Sequence, residues 1–393
     1  MSLFLAFTQI KNTFLFWLLL VVSLCIVNAQ VIPGAENTAA YLNKLEGKKI
    51  GLVAHQASLI KTPKETKHLV DVFLDNGIDL RAIYAPEHGF RGTADAGEKI
   101  KDGKDPKTDL PIYSLYGKNR KPYSDQLQDI EIMVFDLQDV GVRFFTYLST
   151  LHYVMEACAE QGIPLLVLDR PNPNTHYVDG PVLDTAHQSF VGMHPVPIVY
   201  GMTIGEYAQM INGEKWLANG IKCQLEVIPV KNFTHQTPYE LSIRPSPNLP
   251  NAQAIALYPS LCLLEPTVIS VGRGTNKQFQ VYGHPDFKDF TYRFTPAPNF
   301  GAKNPKFNGE ICFGEDLTQV AKPIKIELKW LINAFTKFPD KSAFFLKGFD
   351  RISGVSSLKK QLQERKNETE IRQTWAKGLE QFQQTRAKYL IYP

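Results

Sequence analysis

Short apolar runs alternate with helix-spaced patterns through the first half of the chain. Lys49–Ala54, Leu80–Ala85, Ile130–Phe135 and Pro164–Leu168 each read as a buried strand. Between them, His68–Leu74 has helical spacing and stops at Asn76-Gly77, and Thr146–Gln161 reads as a helix ended by Gly162. Thr203-Ile204-Gly205-Glu206 has the spacing of a capping box, which predicts a helix from there to about Asn219. Leu225–Val230 reads as one more strand. Strands alternating with helices predict βαβ units and a mostly parallel sheet, an α/β fold. Arg244-Pro245-Ser246-Pro247-Asn248-Leu249-Pro250 then interrupts the pattern, because three prolines forbid a regular helix or a central strand. The expected division is therefore one domain over residues 30–244 and a second over 251–393. The second is rich in aromatics and amphipathic helix, including a helical pattern from Glu364 to Tyr389.

A length of 393 residues supports this two-domain expectation, since a single hydrophobic core seldom grows so large. A net charge of +4, with lysines and arginines scattered among acids, argues against a nucleic-acid partner. The N-terminus stands apart. Lys11 precedes the apolar run Phe14–Val22, which continues to Val27 and closes on the small-residue end Val27-Asn28-Ala29. This describes a secretory signal peptide over residues 1–29, and hence an exported, periplasmic or secreted protein with no stable membrane insertion after cleavage. Cys158, Cys223, Cys262 and Cys312 are far apart in apolar contexts, as expected of buried structural thiols.

The first-half strands end in polar groups. His55 follows the first, Glu87, His88 and Arg91 the second, Asp136, Asp139 and Arg143 the third, and Asp169, Arg170 and Asn172 the fourth. Ligands of open parallel sheets bind beyond the carboxyl ends of the strands, so these residues converge on a candidate site. Glu87, on a turn stiffened by Pro86, is the leading general acid. Asp136 and Asp139 are candidates for a second carboxylate. Arg170 and Asn172 are candidate ligand contacts, and Tyr147 is one of several aromatics suited to stacking on a sugar face. Downstream, Gly272-Arg273-Gly274 displays a guanidinium suited to capturing a carboxylate. No G-x-G-x-x-G, P-loop or G-x-S-x-G motif accompanies the sheet, and no zinc spacing links its histidines and acids, so neither cofactor nor metal is expected. Paired carboxylates without a cofactor point to glycoside hydrolysis. Alternatives are an exported sugar-binding protein that performs no chemistry, or a carbohydrate esterase or deacetylase.

Five motifs in fixed order carry a resemblance. They are Ala85-Pro86-Glu87-His88-Gly89-Phe90-Arg91-Gly92, Phe135–Phe144, Asp169-Arg170-Pro171-Asn172-Pro173, Gly201–Glu206 and Gly272-Arg273-Gly274-Thr275. The chain resembles the exo-β-N-acetylmuramidases of the NamZ type, glycoside hydrolase family 171, formerly a domain of unknown function. The resemblance implies a Rossmann-like domain followed by a smaller α+β domain that closes the cleft. It also implies release of N-acetylmuramic acid from the non-reducing ends of peptidoglycan-derived muropeptide or disaccharide fragments. The family's Glu-His-Gly motif falls on Glu87, His88 and Gly89, which gives Glu87 the main catalytic role. Its Phe-Glu-Gly-Thr motif corresponds to Leu264-Glu265-Pro266-Thr267, making Glu265 a competing second carboxylate from the other domain. Selectivity for the lactyl carboxylate of muramic acid requires a fixed cation, for which Arg273 is favoured over Arg91 and Arg143.

Overall fold

The computed structural model describes residues 30–61, 65–91, 98 and 102–393. The expected signal peptide over residues 1–29, and Gly92 of the strand-end motif, lie outside the described residues. Strand β1 (Lys49–Ala54) leads into a hairpin of β2 (Leu59–Lys61) and β3 (Thr66–His68). β4 (Asp79–Ala85), β5 (Gly103–Lys104), β6 (Pro111–Ser114), β7 (Ile132–Asp136), β8 (Leu165–Leu168) and β9 (Leu225–Ile228) follow. A seven-stranded sheet has the order β5-β6-β4-β1-β7-β8-β9, and only the two-residue edge strand β5 runs antiparallel. With β5 set aside, the parallel strands run 3-2-1-4-5-6 across the sheet, the doubly wound order of a Rossmann-like fold.

Side chains alternate across these strands, so each strand feeds both faces. Val53, Tyr84 and Phe135 enter the core shared with the second half, whereas Leu52, Ile83 and Val134 enter a separate core on the opposite face. Burial on both sides explains why the strands read as unbroken apolar runs. The sequence pattern did not reveal β2, β3, β5 or β6, because two to four residues are too few to carry a period. The helix begun by the Thr203–Glu206 capping box is Ile204–Gly213, shorter than expected; Lys215 turns left-handed and ends the run. The expected helix over Glu364–Tyr389 is broken into Glu368–Gln373 and Ala376–Arg386.

The second half carries a three-stranded antiparallel sheet, β10 (Val281–His284), β11 (Tyr292–Phe294) and β12 (Cys312–Asp316), with β12 in the middle. Helices Ala252–Leu261 and Leu328–Lys337 pack beside it. The hydrophobic core crosses between the halves: Phe144 meets Tyr258 edge-on at 5.3 Å, and Tyr258 meets Phe279 at 4.7 Å. The proline segment is wedged between them, not swung free. The Tyr147 hydroxyl donates to the Pro245 carbonyl at 3.3 Å, and the Asn248 amide donates to the Gly301 carbonyl at 2.7 Å. The last residues return to the first half, where Tyr392 donates its hydroxyl to Asp169 and the Pro393 carbonyl accepts the His235 N–H. Among the described residues, no helix is long and apolar enough to cross a membrane.

Candidate active site

Strand register sets what reaches the carboxyl edge of the sheet. Ala54 pairs with Asp136, Val53 with Tyr84, and Ala85 with Ser114, so His55, Glu87 and Tyr116 emerge just beyond one line. After β4, His88 (φ 73°) and Gly89 (φ 77°) both adopt the left-handed conformation, which turns the chain sharply. Phe90 is drawn down into the core against His68, ring centroids 4.9 Å apart, while Glu87 is left half-buried at the surface of a cavity. That cavity, of about 510 Å³, lies between the two halves. Glu87, His88, Tyr116 and Tyr147 line it from one side, and Tyr258, Glu265 and Arg273 from the other.

Two hydroxyls hold the Glu87 carboxylate. Thr146 Oγ1 donates to Oε2 at 2.7 Å, and the Tyr116 hydroxyl is also hydrogen-bonded to it. Burial, followed by the negative charge of Glu87, raises the Tyr116 pKa and keeps that phenol a donor. Thr146 is the N-cap of the helix Tyr147–Gln161 yet makes no side-chain capping bond, its hydroxyl being committed to Glu87. Behind them, His55 Nε2 accepts the Gln138 N–H at 3.0 Å. Its Nδ1 therefore carries the proton and faces the Tyr147 hydroxyl at 3.3 Å. Burial, reinforced by the Arg170 charge, holds the His55 pKa far below that of an ordinary histidine, so this ring is neutral. His55 supports Tyr147 from beneath and is not part of the cavity wall.

Of the four carboxylates singled out in the sequence, the cavity gathers Glu87 and Glu265 but not Asp136 or Asp139. Asp136 turns away to a buried two-point pair with Arg170, whose Nη2 lies 2.8 Å from Oδ2. Asp139 accepts from the Tyr200 hydroxyl and, at 2.8 Å, from the Gly141 N–H. Glu265 forms a fork with Arg273, Nε to Oε1 and Nη2 to Oε2, both at 2.7 Å. Burial opposes ionisation of Glu265, but the charge and hydrogen bonds of Arg273 outweigh it and hold the carboxyl below its usual range. The pair also borders a second hollow, of about 710 Å³, lined by Ser270, Lys303 and Lys306.

Several expected ligand contacts are engaged elsewhere. Arg143 donates to four carbonyls, those of Pro181 and Val196 in the first half and of Ile352 and Ser353 in the second, so it ties the halves together. Arg91 pairs with Asp105 at 2.7 Å. Arg170 is committed to Asp136 and Asn172 to the Met202 carbonyl, at 2.8 Å for the latter, and neither borders the cavity. Arg273 does border it, but its charge is already matched by Glu265. Tyr116, Arg120 and Phe190 are also in the wall, without having been picked out in the sequence. Tyr116 and Arg120 follow β6, a four-residue strand too short to carry a period, so no local signal pointed to them. Among the described residues, no three His, Cys, Asp or Glu side chains are grouped to hold a metal ion.

The model for the N-terminal part of exo-β-N-acetylmuramidase NamZ matches residues 50–253, and that for its C-terminal part matches residues 256–392. The chain belongs to the NamZ family. A peptidoglycan β-N-acetylmuramidase NamZ of Bacillus subtilis (strain 168) is 36% identical over 374 residues, covering 90% of this chain and 89% of the relative. Two crystal structures of DUF1343 family proteins from Bacteroides fragilis NCTC 9343 share the fold. The first superposes with a TM-score of 0.85 at 43% identity, covering 93% of this chain and 99% of its own. The second has a TM-score of 0.78 at 28% identity, covering 92% and 99%. The two NamZ models meet within residues 253–256, so the cavity that joins Glu87 to Glu265 draws one carboxylate from each matched part.

Proposed function

We propose that the protein is an exo-acting glycosidase that releases N-acetylmuramic acid from the non-reducing ends of peptidoglycan-derived muropeptide or disaccharide fragments. Membership of the NamZ family supports this reading. The observation that carries it is Glu87, fixed at the cavity wall by Thr146 and Tyr116 opposite the ionised Glu265–Arg273 pair. Glu87 gives its proton to the glycosidic oxygen as the bond from that oxygen to the anomeric carbon breaks. Glu265, kept ionised by Arg273, supplies negative charge for the oxocarbenium-like sugar, and water adds to the anomeric carbon while its proton returns to the Glu87 carboxylate. Phe145, Tyr147 and Tyr258 line the cavity as a closely packed aromatic wall. The apolar segment with its small-residue end at Ala29 supports export to the periplasm or beyond.

The test compares wild type with Glu87→Gln on chromogenic β-glycosides of N-acetylmuramic acid. Turnover is expected to fall roughly a hundredfold or more with the thermal melt unchanged. Near-wild-type turnover in the variant would remove Glu87 from the mechanism. A wild-type protein that binds the sugar without cleaving it is a binding protein instead, and chelator-sensitive release of acetate identifies a deacetylase.

A further inference from the structure

Muramic acid differs from glucosamine by a lactyl ether ending in a carboxylate, so a site selective for it holds a cation free to pair. Arg91, Arg143 and Arg273 are each committed, to Asp105, to four carbonyls and to Glu265. Two other arginines border the cavity, Arg120 and Arg351, and among the described residues no carboxylate pairs with either. Arg120 has a firm seat. Its guanidinium carbon lies 4.7 Å above the Phe190 ring centroid, and Phe190 in turn stacks on Tyr153 at 6.2 Å and leans on Tyr116 at 5.8 Å. Arg120 shares the loop after β6 with Tyr116, the residue that holds Glu87, and its charge reaches the Tyr116 phenol. A guanidinium stacked on a ring keeps its donors forward and loses little freedom on binding. Arg351 stands on the short helix Phe349–Ser353, and among the described residues no ring lies beneath it.

We propose that Arg120, seated on Phe190 beside the Tyr116–Glu87 pair, binds the lactyl carboxylate of the substrate and makes the site prefer muramic acid to glucosamine. This rests on the glycosidase reading above and names the specificity residue of that same cavity. The Arg120 side chain is largely exposed, so an unoccupied site leaves it hydrated and the discrimination it supplies is moderate.

Chromogenic β-glycosides of N-acetylmuramic acid, of its lactyl methyl ester and of N-acetylglucosamine are offered to wild type, Arg120→Met and Arg351→Met. Methionine keeps the apolar contact with Phe190 and removes the charge. Arg120→Met is expected to lower kcat/KM for the muramic substrate about ten- to a hundredfold, mainly through KM, and to leave the glucosamine substrate within about threefold. In wild type, the methyl ester is expected to lose a similar factor, and Arg351→Met to keep the preference. An unchanged preference in Arg120→Met, or its loss in Arg351→Met, overturns the proposal while the glycosidase reading stands. Calorimetry with free N-acetylmuramic acid separates the opposite failure. Binding that depends on Arg120 in a protein that cleaves nothing sinks the glycosidase reading and keeps the role of Arg120.

Discussion

Asp139 shows how burial at a single residue becomes a pH-dependent stability. Burial pushes its carboxyl up to about 6, against the hydrogen bonds from Tyr200 and from the Gly141 and Val140 backbone that pull it down. In the unfolded chain the same group releases its proton near 3.8. The folded chain therefore holds a proton that the unfolded chain has lost. Its stabilising effect is complete below about 3.8, declines as pH rises to about 6, and stays lost above that. Neutral His55 and His194, whose pKa values burial depresses, tilt stability the other way as pH falls below about 6.5, so the measurement must be a difference. Between pH 4 and pH 7, the unfolding free energy of Asp139→Asn is expected to gain roughly 2 kcal/mol relative to wild type. Chemical denaturation at both pH values reads this directly. Because Asp139 lies outside the cavity wall, turnover is expected to stay within about tenfold; a hundredfold loss in a stable variant would restore Asp139 as a catalytic group.

At the scale of elements, the turn after β4 and the helix Tyr147–Gln161 are joined through the hydroxyls of Thr146 and Tyr147, which donate to the Glu87 carboxylate and carbonyl. Thr146 caps the helix by position but donates to Glu87, so the hydroxyl at the helix start serves that carboxylate and not its own backbone. Thr146→Val keeps the shape and removes the donor. A lost hydrogen bond to a charged group is worth about 1.5–3 kcal/mol, so kcat is expected to fall roughly ten- to a hundredfold. Loss of stability is expected to be small, because no capping bond disappears with the hydroxyl. A variant that melts much earlier but turns over normally would assign Thr146 to the helix instead of the acid. The expectation of a helix over Thr146–Gln161 matched the structure closely, since its spacing and the Gly162 terminator are local signals. The role of Thr146 was not legible, because its partner lies 59 residues away.

For the whole molecule, Arg143 is one of the ties between the halves. It spans carbonyls of Pro181 and Val196 on one side and of Ile352 and Ser353 on the other, and Gly354 leaves room for it: a Cβ there would lie 2.2 Å from Nη2. Arg143→Leu strands the carbonyls of Pro181, Ile352 and Ser353, while that of Val196 keeps the Leu183 N–H, and the loss is expected to cost more than about 3 kcal/mol in a denaturant melt. Amides of the helix Phe349–Ser353 are expected to exchange faster with solvent. A raised KM at unchanged stability would instead mark Arg143 as a substrate contact. Its position after a strand end matched that of a ligand-binding residue in the sequence. Only the carbonyls supplied by distant segments show that it holds the two halves together.

The order of strands and helices, the place of the turn at Glu87-His88-Gly89 and the family motifs were set by local patterns: apolar runs, caps, glycines and prolines acting within a few residues. Those patterns sufficed for a mostly parallel α/β domain and for the place of Glu87 beyond a strand end, where the cavity lies. They could not rank the arginines or the aspartates, because an ionisable residue is defined by its partner, and the partners here are 14 residues away for Arg91, 34 for Asp136 and about 210 for Arg143. Tertiary structure alone decided that Asp136 and Arg170 neutralise each other, that Glu265 faces the cavity with its own counter-ion, and that Arg120 has none among the described residues. Charge pairing depends on distance in space, and distance along the chain does not predict it.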